Sequence, residues 1–201
     1  MPLTTIDGSN IKRIYEQDKE IEICNMFNLK QITKNKGRKA DAIGDNGYVS
    51  IKNSRSSSTQ VWLTTLNKFR LLFNVPSGCI DLFLGDKDKN RLNFDEIPSV
   101  LVDELITWLN DNRVDIIRHA ICGDDDINSI IFRDLNKDKV YTITTNKVID
   151  IVSHSYWRVG KRNGSVQLIN NNGNVIFHIQ REGKGKYPNN ILMHIHRNLF
   201  L

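Results

Sequence analysis

Within KADAIGDNGYVSIKNSRSSSTQ, residues 39–60, one aspartate, one serine and one lysine have the types and the spacing to act on a phosphate group. GDNG, residues 44–47, has the Asp, Asn and Gly chemistry of a tight hairpin turn, so it folds residues 41–43 beside residues 49–52. Side chains alternate along a strand, which puts Ser50 and Lys52 on one face. Asp41, Ser50 and Lys52 then set a carboxylate, a hydroxyl and an ammonium around one small volume. The carboxylate suits Mg²⁺, a hard ion that takes oxygen ligands and keeps several waters. Such a metal acidifies a bound water and stabilises charge on a phosphate, while an ammonium orients the attacking water. Phosphodiester hydrolysis needs these parts. The pattern by itself is short, and a lysine at a strand end also occurs simply with its stem laid on apolar surface.

Asp41, eight residues, then Ser50-Ile51-Lys52 resembles the PD-(D/E)xK nuclease motif, and KADAI...GYVSIKNSRSS is similar to that motif as it occurs in type II restriction endonucleases. The resemblance implies an α/β (mixed α+β) fold, with a central mixed sheet flanked by helices. It also implies Mg²⁺-dependent, site-specific hydrolysis of double-stranded DNA that leaves 5'-phosphate ends. Asp41, the Ile51 carbonyl and a glutamate on the preceding helix would ligate the metal, Lys52 would orient the nucleophile, and Ser50 would hold a metal-bound water. Two positions depart from the pattern: Ala40 stands where proline is usual, and Ser50 stands where the second acid is usual, which removes a direct ligand. A structure-selective nuclease of the resolvase or repair type, or a non-catalytic DNA-binding module on the same fold, therefore stays open beside the restriction enzyme. Cutting both strands favours a homodimer on a palindromic site, and a restriction enzyme requires a cognate DNA methyltransferase in the same system.

The helix predicted over residues 10–28 carries Ile11, Ile14, Ile21, Cys24 and Phe27, with Glu20 inside the apolar arc, Glu16 at its edge and Glu22 outside it. A glutamate on a buried stripe is costly unless it is paired or bound to metal. Glu20 is thus the candidate auxiliary ligand and Glu16 the second choice, with a salt bridge from Glu20 to Lys30 or Lys34 as the plain alternative. After the candidate strand, Asn53, Ser54, Arg55, Ser56, Ser57, Ser58 and Gln60, with Lys39 from the basic turn KNKGRK, suit phosphate oxygens. A helix predicted over 60–73, with Val61, Leu66, Phe69 and Phe73 on one side, would add backbone donors at its N-terminus; a loop with a Ser or Thr cap explains the same run without DNA. Further along, CIDLFLG reads as a buried strand, 97–109 and 114–121 as helices, 127–133 and 140–144 as strands, and 147–153 as a short helix.

Three strands are predicted at the C-terminal end, over 165–169, 174–181 and 190–197. If the last two pair, Val175, Phe177, Ile179, Ile191, Met193 and Ile195 form an apolar layer, and His178, Gln180, His194 and His196 gather on the opposite face. Together with Arg181, Lys184 and Lys186 this reads as a β-ribbon for DNA, since Gln suits adenine and Arg suits guanine; a solvated sheet face is the alternative. IQREGKGKYPNNILMHIHR is also similar to the C-terminal part of some restriction-type nucleases. From Arg158 to Arg197 the cations face only one acid, Glu182, within a chain of net charge +5. The 201 residues, 39% hydrophobic and 25% charged, suit a single domain, with a catalytic core over about 1–150 and a β-rich recognition part over about 155–201. Three separated cysteines, Cys24, Cys79 and Cys122, each in an apolar setting, together with the lack of an apolar leader, fit a cytoplasmic protein with reduced thiols.

Overall fold

The hairpin anticipated around GDNG is present in the computed structural model, which describes residues 18–32, 39–76, 78–80, 92–161, 164–181 and 190–201, apart from the side chains of Trp62, Leu63, Arg181 and Asn190. β2 (Ala42–Gly44) and β3 (Gly47–Ser54) pair antiparallel, with Ala42 opposite Val49 and Gly44 opposite Gly47. Gly47 turns the chain with φ +98, where an L side chain is strained, and a Cβ there would overlap the Asn128 side-chain amide that accepts the Tyr48 amide at 3.0 Å. Gly47→Ala is therefore expected to cost about 1–2 kcal/mol, read as a lowered Tm.

The fold is a mixed α+β architecture with two sheets, and the chain divides into two compact units. One unit holds Ser56 and the described residues before it, together with Cys122–Thr145. Its sheet runs β1-β2-β3-β5-β6, where β1 is Lys30–Gln31, β5 is Ile127–Asp134 and β6 is Lys139–Thr144. β3 and β5 are parallel, with Ile51 opposite Ile131, and the other pairs are antiparallel, so the sheet is mixed. Residues 18–26 form a helix, α1. Its Ile23 and Cys24 pack on Ala42, Val49, Ile51 and Ile131. Ile21 and Phe27, expected on this buried arc, are instead exposed. Ile21 lies a full residue step, about 100°, from Glu20. Phe27 lies past the last turn, where left-handed Asn28 (φ 52) and the Leu29 amide on the Cys24 carbonyl (2.8 Å) close the helix.

The other unit comprises Ser57–Ile121 and Asn146–Leu201. Its antiparallel sheet runs β4-β10-β9-β8-β7, with β4 Ser58–Thr65, β7 Tyr156–Val159, β8 Ser165–Ile169, β9 Val175–Arg181 and β10 Asn190–His196. β4 corrects the expected helix over 60–73: the β-branched run Thr59, Val61, Thr64, Thr65 pairs with β10, and only Leu66–Phe73 is helical (α2). Thr65 caps that helix, its hydroxyl accepting the Lys68 amide at 3.3 Å. Residues 78–80 are helical rather than the start of a strand, and the rest of CIDLFLG lies outside the described residues.

α3 (Ser99–Asp111), α4 (Arg113–Cys122) and α5 (Thr145–Ser153) fall close to their expected places. Phe69 meets Trp108 edge-on at 5.9 Å, and Arg113 donates to the Val152 carbonyl at 3.1 Å. Among the described residues no helix is long and apolar enough to cross a membrane.

Candidate active site

Beyond the Ala42–Val49 pair the β2–β3 ladder ends, and the Asp41 side chain takes over. One carboxylate oxygen, Oδ2, accepts the Ile51 amide at 2.7 Å, the Ser50 hydroxyl at 3.2 Å and the Lys52 ammonium at 3.2 Å. Lys52 Nζ also donates to the Ile51 carbonyl at 3.2 Å. Asp41 and Ser50 are buried and Lys52 is half-buried. A carboxylate withdrawn this far from water is tolerable because charge-assisted hydrogen bonds surround it. The hairpin thus brings together the three side chains singled out by spacing.

Glu20 is buried on α1 one turn before Cys24. The Cys24 thiol is held above its usual range by burial, then by the Glu20 and Asp41 carboxylates, so both acids act on the same buried atom. Asp41, Glu20 and the Ile51 carbonyl are hard oxygen donors. Among the described residues no three His, Cys, Asp or Glu side chains converge into a metal cage. Mg²⁺ needs none, since one or two carboxylates with waters hold it, and the donors here fit that pattern. Glu16 lies outside the described residues. Glu22, on the solvent side of α1, pairs with Arg133 at 2.5 Å.

Sequence reasoning missed Asp125, in the acidic turn after α4. Its Oδ2 accepts the amides of Lys39 at 2.5 Å and Ala40 at 3.0 Å, fastening the chain immediately before Asp41. Only the acid-rich GDDD turn could have hinted at it, because the pairing spans 86 residues. Asp125→Ala is expected to cost about 1–3 kcal/mol in chemical denaturation, as two amides lose a charged acceptor.

The Asn53–Gln60 run is divided by the fold. Asn53 and Ser54 end β3, Arg55–Ser57 form an exposed bend, and Ser58–Gln60 begin β4. The Ser56 amide donates to Ser54 Oγ at 3.1 Å, and Asn136 Nδ2 donates to the Arg55 carbonyl. The helix N-terminus expected to follow is absent, because β4 comes next.

His178, Gln180, His194 and His196 are gathered on one face, but not on a free ribbon. β9 and β10 are interior strands, because β4 occupies the far edge of β10. Across the five strands a polar row runs Gln60, His194, His178, Gln167, Arg158, each opposite the next. His178 and His194 stack with ring centroids 4.4 Å apart, His178 Nδ1 and His196 Nε2 stand 2.6 Å apart, and Gln180 Nε2 lies 3.1 Å from His194 Nε2. Lys184 and Lys186 lie outside the described residues, and Arg181 ends β9.

Burial lowers all three histidines, and the neighbouring histidine charges help bring His194 and His196 to about 4. Two rings sharing one N–H···N contact cannot both be charged, because one of them must be the neutral acceptor. In the unfolded chain histidine titrates near ~6.5. Between that value and about 4 the unfolded chain therefore binds more protons than the folded one. The stability held above pH ~6.5 is then expected to fall as the pH drops through this window, with nothing further lost from these groups below about 4. Thermal unfolding against pH checks this, with His194→Gln/His196→Gln showing a flatter profile.

No family model matches the chain, and no curated protein matches it at a significant level. A solved structure described as restriction endonuclease MspI in complex with its cognate DNA is similar in fold, with a TM-score of 0.53 at 12% identity, covering 89% of this chain and 78% of that one. The likeness establishes a restriction-endonuclease-like fold.

Proposed function

We propose that the chain is a Mg²⁺-dependent endodeoxyribonuclease of the type II restriction class, hydrolysing double-stranded DNA at a defined sequence. The observation that carries the reading is the single Asp41 oxygen held by Ser50, Ile51 and Lys52 in a sheet of restriction-endonuclease-like fold. Asp41, Glu20 and the Ile51 carbonyl would hold Mg²⁺, which when bound supplies an acidified water and neutralises charge on the phosphate. Lys52 has two of its three ammonium donors on Asp41 and Ile51, leaving the third for the attacking water or a phosphate oxygen. Ser50 keeps Asp41 oriented through its hydroxyl and, standing where an acid is usual, leaves Glu20 as the second carboxylate. Arg55 and the hydroxyls of Ser54, Ser56, Ser57 and Ser58, with Asn53, Gln60 and Lys39, would contact the DNA backbone. His178, Gln180, His194 and His196 would meet DNA through the face of a sheet instead of a ribbon in the groove, and Arg181, Lys184 and Lys186 belong to the same DNA-contacting reading. A symmetric homodimer and a partner methyltransferase belong to the same reading.

Ser50 supports a second reading, a DNA-binding module that keeps the fold without cutting. Unmethylated phage-sized DNA incubated with the protein and Mg²⁺ separates the two. Discrete fragments are the expected result; a smear would mean a nuclease without sequence choice, and retained binding without cutting would favour the module.

A further inference from the structure

We infer that the turn between β5 and β6 is a further DNA-backbone contact of the unit that carries Asp41 and Lys52, with Lys137 and Lys139 as its phosphate donors. The inference rests on the nuclease reading above. Strand register places the turn. β3 and β5 are parallel, so they leave the sheet at the same end, Ser54 opposite Asp134. The Leu135 amide donates to the Ser54 carbonyl at 2.8 Å and Asn136 Nδ2 donates to the Arg55 carbonyl, which fastens the turn beside the Arg55–Ser57 bend. Residues opposite one another share a face, so Lys52, Phe132 and Tyr141 form one row across the sheet, and Ser54, Asp134 and Lys139 the next. Lys139 therefore stands on the face that carries Lys52, two strands across and one alternation further along, about 12 Å away between Cα atoms. Phosphates recur about every 3.4 Å of axis on each strand of a duplex, so this separation suits phosphates a few nucleotides from the scissile one.

Hydrogen bonds sort the charges of the turn. Asp134 is buried, and its Oδ1 accepts the amides of Asn136 at 3.1 Å and Lys137 at 3.3 Å. Asp138, left-handed at φ 47, accepts Arg133 Nη2 at 2.9 Å. Each acid of the turn thus has a partner inside the fold. Lys137 and Lys139 are exposed, and among the described residues neither ammonium has an ion pair or a hydrogen bond. Two such cations on a backbone already fixed meet a polyanion without breaking any internal pair, and only their own rotamers are ordered on binding. A DNA strand crossing the Lys52 face is the polyanion that the nuclease reading brings here, and each lysine that meets a phosphate releases counterions.

Lys137→Gln/Lys139→Gln tests this, beside Lys68→Gln/Lys147→Gln, which removes the same charge from exposed positions of the other unit. The Kd for a duplex is measured against salt concentration, with Ca²⁺ in place of Mg²⁺. The turn variant is expected to bind about 10-fold more weakly and with a salt slope lower by about 2, whatever the duplex sequence. Lys137→Arg/Lys139→Arg, which keeps both cations, should keep the wild-type slope. A wild-type slope in the turn variant, with the wild-type protein binding and cutting DNA, would overturn the inference and leave the nuclease reading standing. Equal losses in the two Gln pairs would also overturn it, since net charge and not the turn would then be responsible. A wild-type protein that neither cuts nor binds DNA would overturn both readings together.

Discussion

Lys52→Met is expected to slow DNA cleavage by about 10³-fold or more while leaving duplex affinity close to wild type. Methionine preserves the unbranched stem at the half-buried end of β3, so packing changes little. What disappears is the ammonium that links Asp41 Oδ2 to the Ile51 carbonyl, each at 3.2 Å. Asp41 keeps the Ile51 amide and the Ser50 hydroxyl, so the hairpin stays closed. The loss therefore falls on the cleavage rate at saturating DNA, which single-turnover kinetics report directly. Lys52→Arg should not restore that rate, because a planar guanidinium fork cannot reproduce a compact ammonium in contact with both oxygens.

Asp41→Asn is expected to abolish detectable cutting, and the contrast with Asp41→Ala carries further information. An asparagine oxygen can still accept the Ile51 amide and the Ser50 hydroxyl, so the Asn variant should fold and bind DNA. It has no negative charge with which to hold Mg²⁺ or to balance Lys52. Alanine removes the acceptor altogether and leaves the Ile51 amide without it, beside a half-buried cation. Asp41→Ala should therefore lose about 1–3 kcal/mol of stability in addition to activity. Denaturant titration of the two variants, run alongside the cleavage assay, separates the catalytic loss from the structural one.

The candidate site was legible where short-range rules decide the geometry. Period-two alternation and a GDNG turn were enough to put Asp41, Ser50 and Lys52 together, and the helical period marked Glu20 as a buried carboxylate. Asp125 was not legible, since its bond to Lys39 joins turns far apart in the chain and depends on β5 lying parallel to β3. Across β4 and α2, Val61, Leu66, Phe69 and Phe73 mimic one helical stripe over what is a strand followed by a helix; only pairing with β10 reveals the change at Thr65. The same missing strand changes how His178 and His196 are understood. They read as a two-stranded ribbon in sequence, and lie on interior strands once β4 is counted. β7, four residues long, was too short for its period to register.

Wild-type protein and Asp41→Asn, prepared identically and freed of metal, can be mixed with the same unmethylated linear DNA while Mg²⁺ is titrated in. The wild type should remain inactive until Mg²⁺ is added and then yield a fixed set of fragments bearing 5'-phosphates, with Asp41→Asn binding the DNA but leaving it intact at every concentration. Equal cutting by Asp41→Asn, or wild-type cutting that needs no divalent ion, would contradict the assignment of Asp41 and its neighbours as the centre of a metal-dependent nuclease.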